Sequence, residues 1–199
     1  MKVRLWRSAP IWGLVCVVGC GGGSLTDEEA KKFHDIVARG DLPKVKEMVQ
    51  NDRRYLTVRN GRSFAAPAPL HSAAGAGQKE VVEFFLAEGA DVDVVLYDTY
   101  GAKHSGLGTT PLWCAAAWGH RDVVEALLSR GAQIEARNYK WETPLFVAAV
   151  AGHTEVVRLL LERGADPCTK NSMGHSPLIL AKQKGFLEVA QLLEARGGE

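Results

Sequence analysis

No hydrophobic run here has the ~20 residues that a transmembrane helix requires; the N-terminal apolar stretch, Ala9 to Gly19, holds about eleven. An excess of one charge is missing as well: 24 Lys and Arg face 23 Asp and Glu, a formal net of +1. Lys2, Arg4 and Arg7 all precede residue 20. Without residues 1–19, 21 basic residues face 23 acidic ones, a net of −2. No basic stripe remains to neutralise phosphates, which argues against a nucleic-acid partner. Cysteine is scarce: of four, only Cys114 and Cys168 lie beyond the first twenty residues. Chemistry is scarce too, with no Ser/His/Asp set and no paired carboxylate cluster. Gly21 to Gly23 is no nucleotide cradle, because no helix start with Lys-Ser/Thr follows it. The pattern calls for no cofactor and no metal.

What is present is a period. Pro111, Pro144 and Pro177 stand 33 residues apart, each preceded by Thr or Ser and followed by Leu. Gly119, Gly152 and Gly185 follow at one constant offset, and Gly131, Gly164 and Gly197 at another. Self-similarity at this interval marks stacked helical repeats. Thr110, Thr143 and Ser176 are placed to accept a hydrogen bond from an otherwise unpaired backbone N–H. The prolines then occupy the first helical position, where no donor is lost. Leu112, Ala115 and Ala116, and Leu145, Ala148 and Ala149, make short apolar helices whose alanines permit close approach. After the glycine reversal, Asp122, Glu155 or Glu188 opens a second helix. Its apolar stripe is Val123, Val124, Leu127 and Leu128, or Val156, Val157, Leu160 and Leu161, at helical spacing. Arg130-Gly131, Arg163-Gly164 and Arg196-Gly197 close it, as the helix dipole and the left-handed cap favour.

These residues resemble ankyrin repeats. Thr110 to Ala132 is similar to one complete motif, Thr143 to Ala165 to another, and Ala68 to Ala90 to a third in which Ala68 replaces the capping Thr. Ser176 to Gly197 resembles a terminal unit, since Lys182, Gln183 and Lys184 make its first helix polar. Residues 27–60 fit a degenerate N-terminal unit through Phe33, Ile36, Val37, Val45, Met48 and Val49. The resemblance implies an all-α ankyrin-repeat solenoid of about five helix-turn-helix units with short finger loops, at about 27–60, 64–96, 106–138, 139–171 and 172–199. It implies protein recognition and no catalysis.

The first residues follow a separate logic. Lys2, Arg4 and Arg7 precede the apolar stretch as in a secretory signal spanning residues 1–19. Val17-Val18-Gly19-Cys20 resembles the bacterial lipobox, which implies acylation of Cys20, with palmitate among the chains. The alternatives are an ordinary signal peptide that contains cysteine, or an uncleaved anchor. Gly21-Gly22-Gly23-Ser24 suits a flexible tether over residues 20–26. That tether spans at most ~25 Å, holding the array (residues 27–199) beside a bilayer. By the same resemblance the place is the bacterial envelope, the periplasmic side of the outer membrane ahead of the inner membrane.

Departures from the repeat locate the expected partner surface. Gly89 and Pro111 are 22 residues apart, against 13 for Gly131 to Pro144, and the nine extra residues fall within Val92 to Gly108. They place Tyr97, Tyr100, Lys103 and His104 in a finger, where an insertion reaches the binding face. A tolerated surface insertion is the alternative. The next finger reads Asn138-Tyr139-Lys140-Trp141-Glu142, and Trp141 stands where the family pattern has glycine. A tryptophan there must take strain or change the turn. Trp118 falls at a position that in ankyrin repeats faces the concave groove, while Trp113 replaces the motif histidine and suits packing under a finger. Met173 and His175 belong to the last finger. Cys114 and Cys168 are expected in different layers, unbridged, with Cys114 in an apolar setting. His120 and His153 share a register ~8–10 Å apart, too far for one zinc ion. His71 matches the histidine that ties a turn to its helix.

The reading is a monomeric, lipid-anchored module that binds an envelope protein through its groove and fingers. A structural spacer, or an enzyme or metal-dependent factor, is the alternative.

Overall fold

The computed structural model describes residues 25–59, 67–96 and 108–198. Cys20, Tyr97, Tyr100, Lys103 and His104 lie outside them, as does the signal segment. The described residues form ten α-helices in five antiparallel pairs: α1 (Asp27–Arg39) with α2 (Leu42–Asn51), α3 (Pro69–Gly75) with α4 (Lys79–Ala87), α5 (Pro111–Trp118) with α6 (Arg121–Ser129), α7 (Pro144–Ala151) with α8 (Thr154–Glu162), and α9 (Pro177–Gln183) with α10 (Leu187–Ala195). A single 3-10 turn, Arg53–Leu56, follows α2. Odd-numbered helices stack on one another in one layer and even-numbered helices in a second. The expected all-α solenoid is what the chain forms.

Each start signal acts as its chemistry dictates. The hydroxyls of Thr110, Thr143 and Ser176 accept from the backbone N–H of Trp113, Phe146 and Ile179. Ala68 has no hydroxyl, so the His71 N–H donates instead to the Ala68 carbonyl at 3.0 Å, while Nδ1 of His71 accepts from the Ala68 N–H at 3.3 Å. α1 carries a reciprocal box, Thr26 accepting from the Glu29 N–H while Glu29 accepts from the Thr26 N–H at 2.8 Å. At 13 residues it is longer than the other odd-numbered helices, as suits the end of an array.

One continuous core runs between the layers. The alanine pairs Ala73/Ala74, Ala115/Ala116 and Ala148/Ala149 are fully buried, and their short side chains let α3, α5 and α7 lie close. Valines and leucines of the even helices fill the space behind, each contributing ~1.5–3 kcal/mol on burial. In the last unit the second alanine becomes Lys182, which turns outward and pairs with Glu194. That substitution lets the stack end in water.

The helix-to-helix turns form a ladder from unit to unit. Gly40, Gly77, Gly119 and Gly152 all take left-handed backbone, and a side chain of the following unit covers each. Gln78 lies over Gly40, His120 over Gly77, His153 over Gly119 and Phe186 over Gly152. Gln78, His120 and His153 also reach a carbonyl of the preceding unit, on Ala38, Gly75 and Ala117, at 2.9–3.0 Å. The recurring histidines are therefore structural ties between neighbours.

Candidate functional site

The finger between α6 and α7 is built from one asparagine outward. The Asn138 side-chain oxygen accepts from the backbone N–H of Lys140 and of Glu142, both at 2.9 Å. Its Nδ2 donates to the Glu142 carboxylate at 2.8 Å, and the Trp141 N–H returns to the Asn138 carbonyl at 2.9 Å. This closed turn requires left-handed backbone at its fourth residue, and Trp141 supplies it with φ 64°, the sole non-glycine residue with positive φ among those described. Trp141 kept the turn and took the strain. The finger between α8 and α9 repeats the design through Asn171, with Gly174 at φ 79° in the equivalent place. The Ser172 N–H donates to the Lys140 carbonyl at 2.8 Å, which joins the two tips into one ridge.

That ridge is apolar and cationic. Tyr139, Trp141 and Met173 are 43%, 50% and 69% exposed, unusual for side chains of this size. The Arg137 guanidinium lies 5.9 Å from the Trp141 ring centroid, and Lys140 Nζ lies 5.4 Å from that of Tyr139. His175 is half-buried, and its Nδ1 is enclosed without a partner among the described residues. Glu142 braces the turn through Asn138.

Trp118 ends α5, in the same layer as the helix that Trp141 precedes. It is 69% exposed and leans over the backbone of Gly75, where a Cβ would sit 3.6 Å from the indole. Trp113 is half-buried, with its indole N–H enclosed and unpartnered among the described residues. In the unit before, His71 fills the same place and donates from Nε2 to the Thr109 carbonyl at 2.9 Å. Thr109 also pairs with Leu96 across the base of the inserted finger, and the Gly108 N–H donates to the Arg137 carbonyl. The root of the insertion is therefore fixed to both neighbours.

The other polar groups are structural. His71 accepts at Nδ1, so its Nε2 carries the proton, and burial holds its pKa down at about 4. His34 was not anticipated from the sequence pattern; it donates from Nε2 to the Val58 carbonyl and accepts at Nδ1 from Ser72 at 2.7 Å, joining the first unit to the second. Burial lowers its pKa as well. Burial pushes the Cys114 thiol up to about 12, so it stays protonated and inert at neutral pH. Cys168 is exposed, and neither cysteine is bridged. Among the described residues no group of three or more His, Cys, Asp or Glu is placed to hold a metal ion. Among the same residues no helix is long and apolar enough to cross a membrane.

Stacked helix pairs around one continuous core, with several aromatic side chains left outside it, define a repeat solenoid. The family described as "Ankyrin repeats (3 copies)" matches residues 33–138 and again 135–198, and this chain belongs to the ankyrin repeat family. Ankyrin repeats are generally protein–protein interaction modules and typically non-enzymatic. No curated protein matches the chain.

Proposed function

We propose that the array is a protein-docking module tethered to the bacterial envelope through acylated Cys20, most simply on the periplasmic side of the outer membrane. A partner protein lies in the concave trough of the third and fourth units, against Trp118 on one side and the ridge of Tyr139, Lys140, Trp141, Met173 and His175 on the other. Glu142 positions that ridge, and the inserted finger adds Tyr97, Tyr100, Lys103 and His104. Trp141 carries this reading. It is half exposed, adds little to the core, and holds a backbone conformation that costs a bulky residue free energy. Tryptophan and tyrosine are also the side chains that most often anchor protein interfaces.

Replacing Trp118, Tyr139 and Trp141 together by Ala should leave the helical spectrum and melting temperature near wild type while abolishing co-purification of the envelope partner. Unchanged co-purification would place the site elsewhere. For the tether, wild-type cells should incorporate radiolabelled palmitate into the protein and Cys20→Ala cells should not; equal labelling would refute the anchor.

A further inference from the structure

Carboxylates are missing from the layer that floors the proposed trough. α3, α5, α7 and α9 contain no Asp or Glu at all. Acids of the later units sit on the even helices or at the finger bases, and many are engaged there. Glu125 pairs with Arg121 and Arg163, and Glu188 with Arg158. The carboxylates of Asp93 and Glu135 accept the backbone N–H of Gln133 and Asp166 in the following unit. Glu142 is held by Asn138.

Three lysines of the same units, in contrast, have no carboxylate within ion-pair distance among the described residues. Lys140 and Lys170 are exposed on the two joined fingers, and Lys184 stands two units beyond Trp118 in the same register, its Nζ donating to the Val150 carbonyl. None of the three takes part in an ion pair among the described residues. Positive charge held outside ion pairs, beside exposed aromatic surface, favours a partner of opposite charge and speeds its encounter.

We infer that the trough accepts an extended segment of a partner protein that is both apolar and acidic. This rests on the trough being the docking site. The segment's aromatic or aliphatic side chains lie on Trp118, Trp141 and Met173, and its Asp and Glu side chains meet Lys140, Lys170 and Lys184. Unpaired lysine heads gain a counter-charge without breaking any existing ion pair. A basic segment would meet the same lysines with repulsion.

A random library of displayed peptides of about twelve residues tests this, since an extended chain at ~3.4 Å per residue then crosses four units stacked ~10 Å apart. Selection on the full chain should enrich Asp and Glu at least about threefold together with apolar residues, and the captured pool should elute in high salt. Lys140→Glu combined with Lys170→Glu, at exposed positions where folding is unaffected, should weaken that pool about tenfold or more and select basic peptides instead. Circular dichroism checks that this variant stays folded. A wild-type pool without acid enrichment overturns the inference, yet leaves the trough standing if Trp118→Ala with Trp141→Ala abolishes its capture. An acidic pool indifferent to those two substitutions overturns the trough itself. An empty selection also overturns the inference, and retention on phosphatidylserine but not phosphatidylcholine vesicles would then assign the lysines to a lipid surface.

Discussion

Trp141 offers a measurement in which strain can be separated from contact. An L-residue in left-handed backbone costs ~1–2 kcal/mol relative to right-handed, and Trp141 sits there at φ 64°. Glycine escapes that cost but loses ~0.5–1 kcal/mol to its greater freedom in the unfolded chain. Trp141→Ala and Trp141→Gly both remove the indole and its contact with Arg137, worth ~0.5–1 kcal/mol at an exposed site. Comparing the two variants therefore cancels the contact and isolates the backbone. Glycine should be more stable than alanine by about 0.5–1 kcal/mol, or ~1–4 °C in melting temperature for an array of this size. Gly174, in the equivalent turn at φ 79°, shows the conformation the glycine variant would adopt. Thermal unfolding followed by far-ultraviolet circular dichroism reads the difference. If the alanine variant melts at or above the glycine variant, the turn is not left-handed and the case for retained strain collapses. Both variants should lose the partner equally, since both lack the indole.

Three further outcomes follow from buried groups and close contacts. His71 binds a proton near pH 6.5 when unfolded but only near 4 in the fold, so stability is complete above about 6.5 and falls as pH drops toward 4, by on the order of 3 kcal/mol; denaturant midpoints measured across that window should show the loss, with His34 adding in the same direction. Gly119→Ala would put a Cβ 2.6 Å from the His153 ring at φ +79°, whereas Gly131→Ala at φ +85° meets nothing within 4 Å. The second should cost ~1–2 kcal/mol for backbone alone and the first ~1–3 kcal/mol more, so equal melting temperatures would refute the ladder. Brief treatment of the folded protein with a thiol reagent at neutral pH should label Cys168 and spare Cys114, as peptide mass mapping would show; equal label on Cys114 would refute a thiol held protonated by its apolar setting.

Much of the architecture was readable before any coordinates, because it depends on groups close together in the chain. A hydroxyl three residues before an N–H, a proline with no donor to lose and a glycine after the last turn act locally. At Trp141 the sequence posed a choice between strain and another turn, and the structure decides it for strain, because the turn closed by Asn138 keeps left-handed backbone there. Ties between units were less legible. His34 meets Ser72, 38 residues away, and nothing in the spacing marks it apart from a surface histidine. The His120 and His153 contacts with Gly75 and Ala117 are carbonyl contacts, and a backbone carbonyl has no signature among side chains. The enclosed indole N–H of Trp113 could be noticed only once its surroundings were in place.

Periodicity alone therefore settled the helix pairs, their order, their caps and the two layers, because each repeat is a local unit whose apolar face has one place to go. Stacking decided which side chains stayed outside the core. Trp118 leans on Gly75 from the preceding unit, Lys140 is joined to Ser172 of the following one, and Lys140, Lys170 and Lys184 stay outside every ion pair among the described residues. Exposure and electrostatic potential are sums over neighbours remote in sequence, so they exist only after the chain has packed.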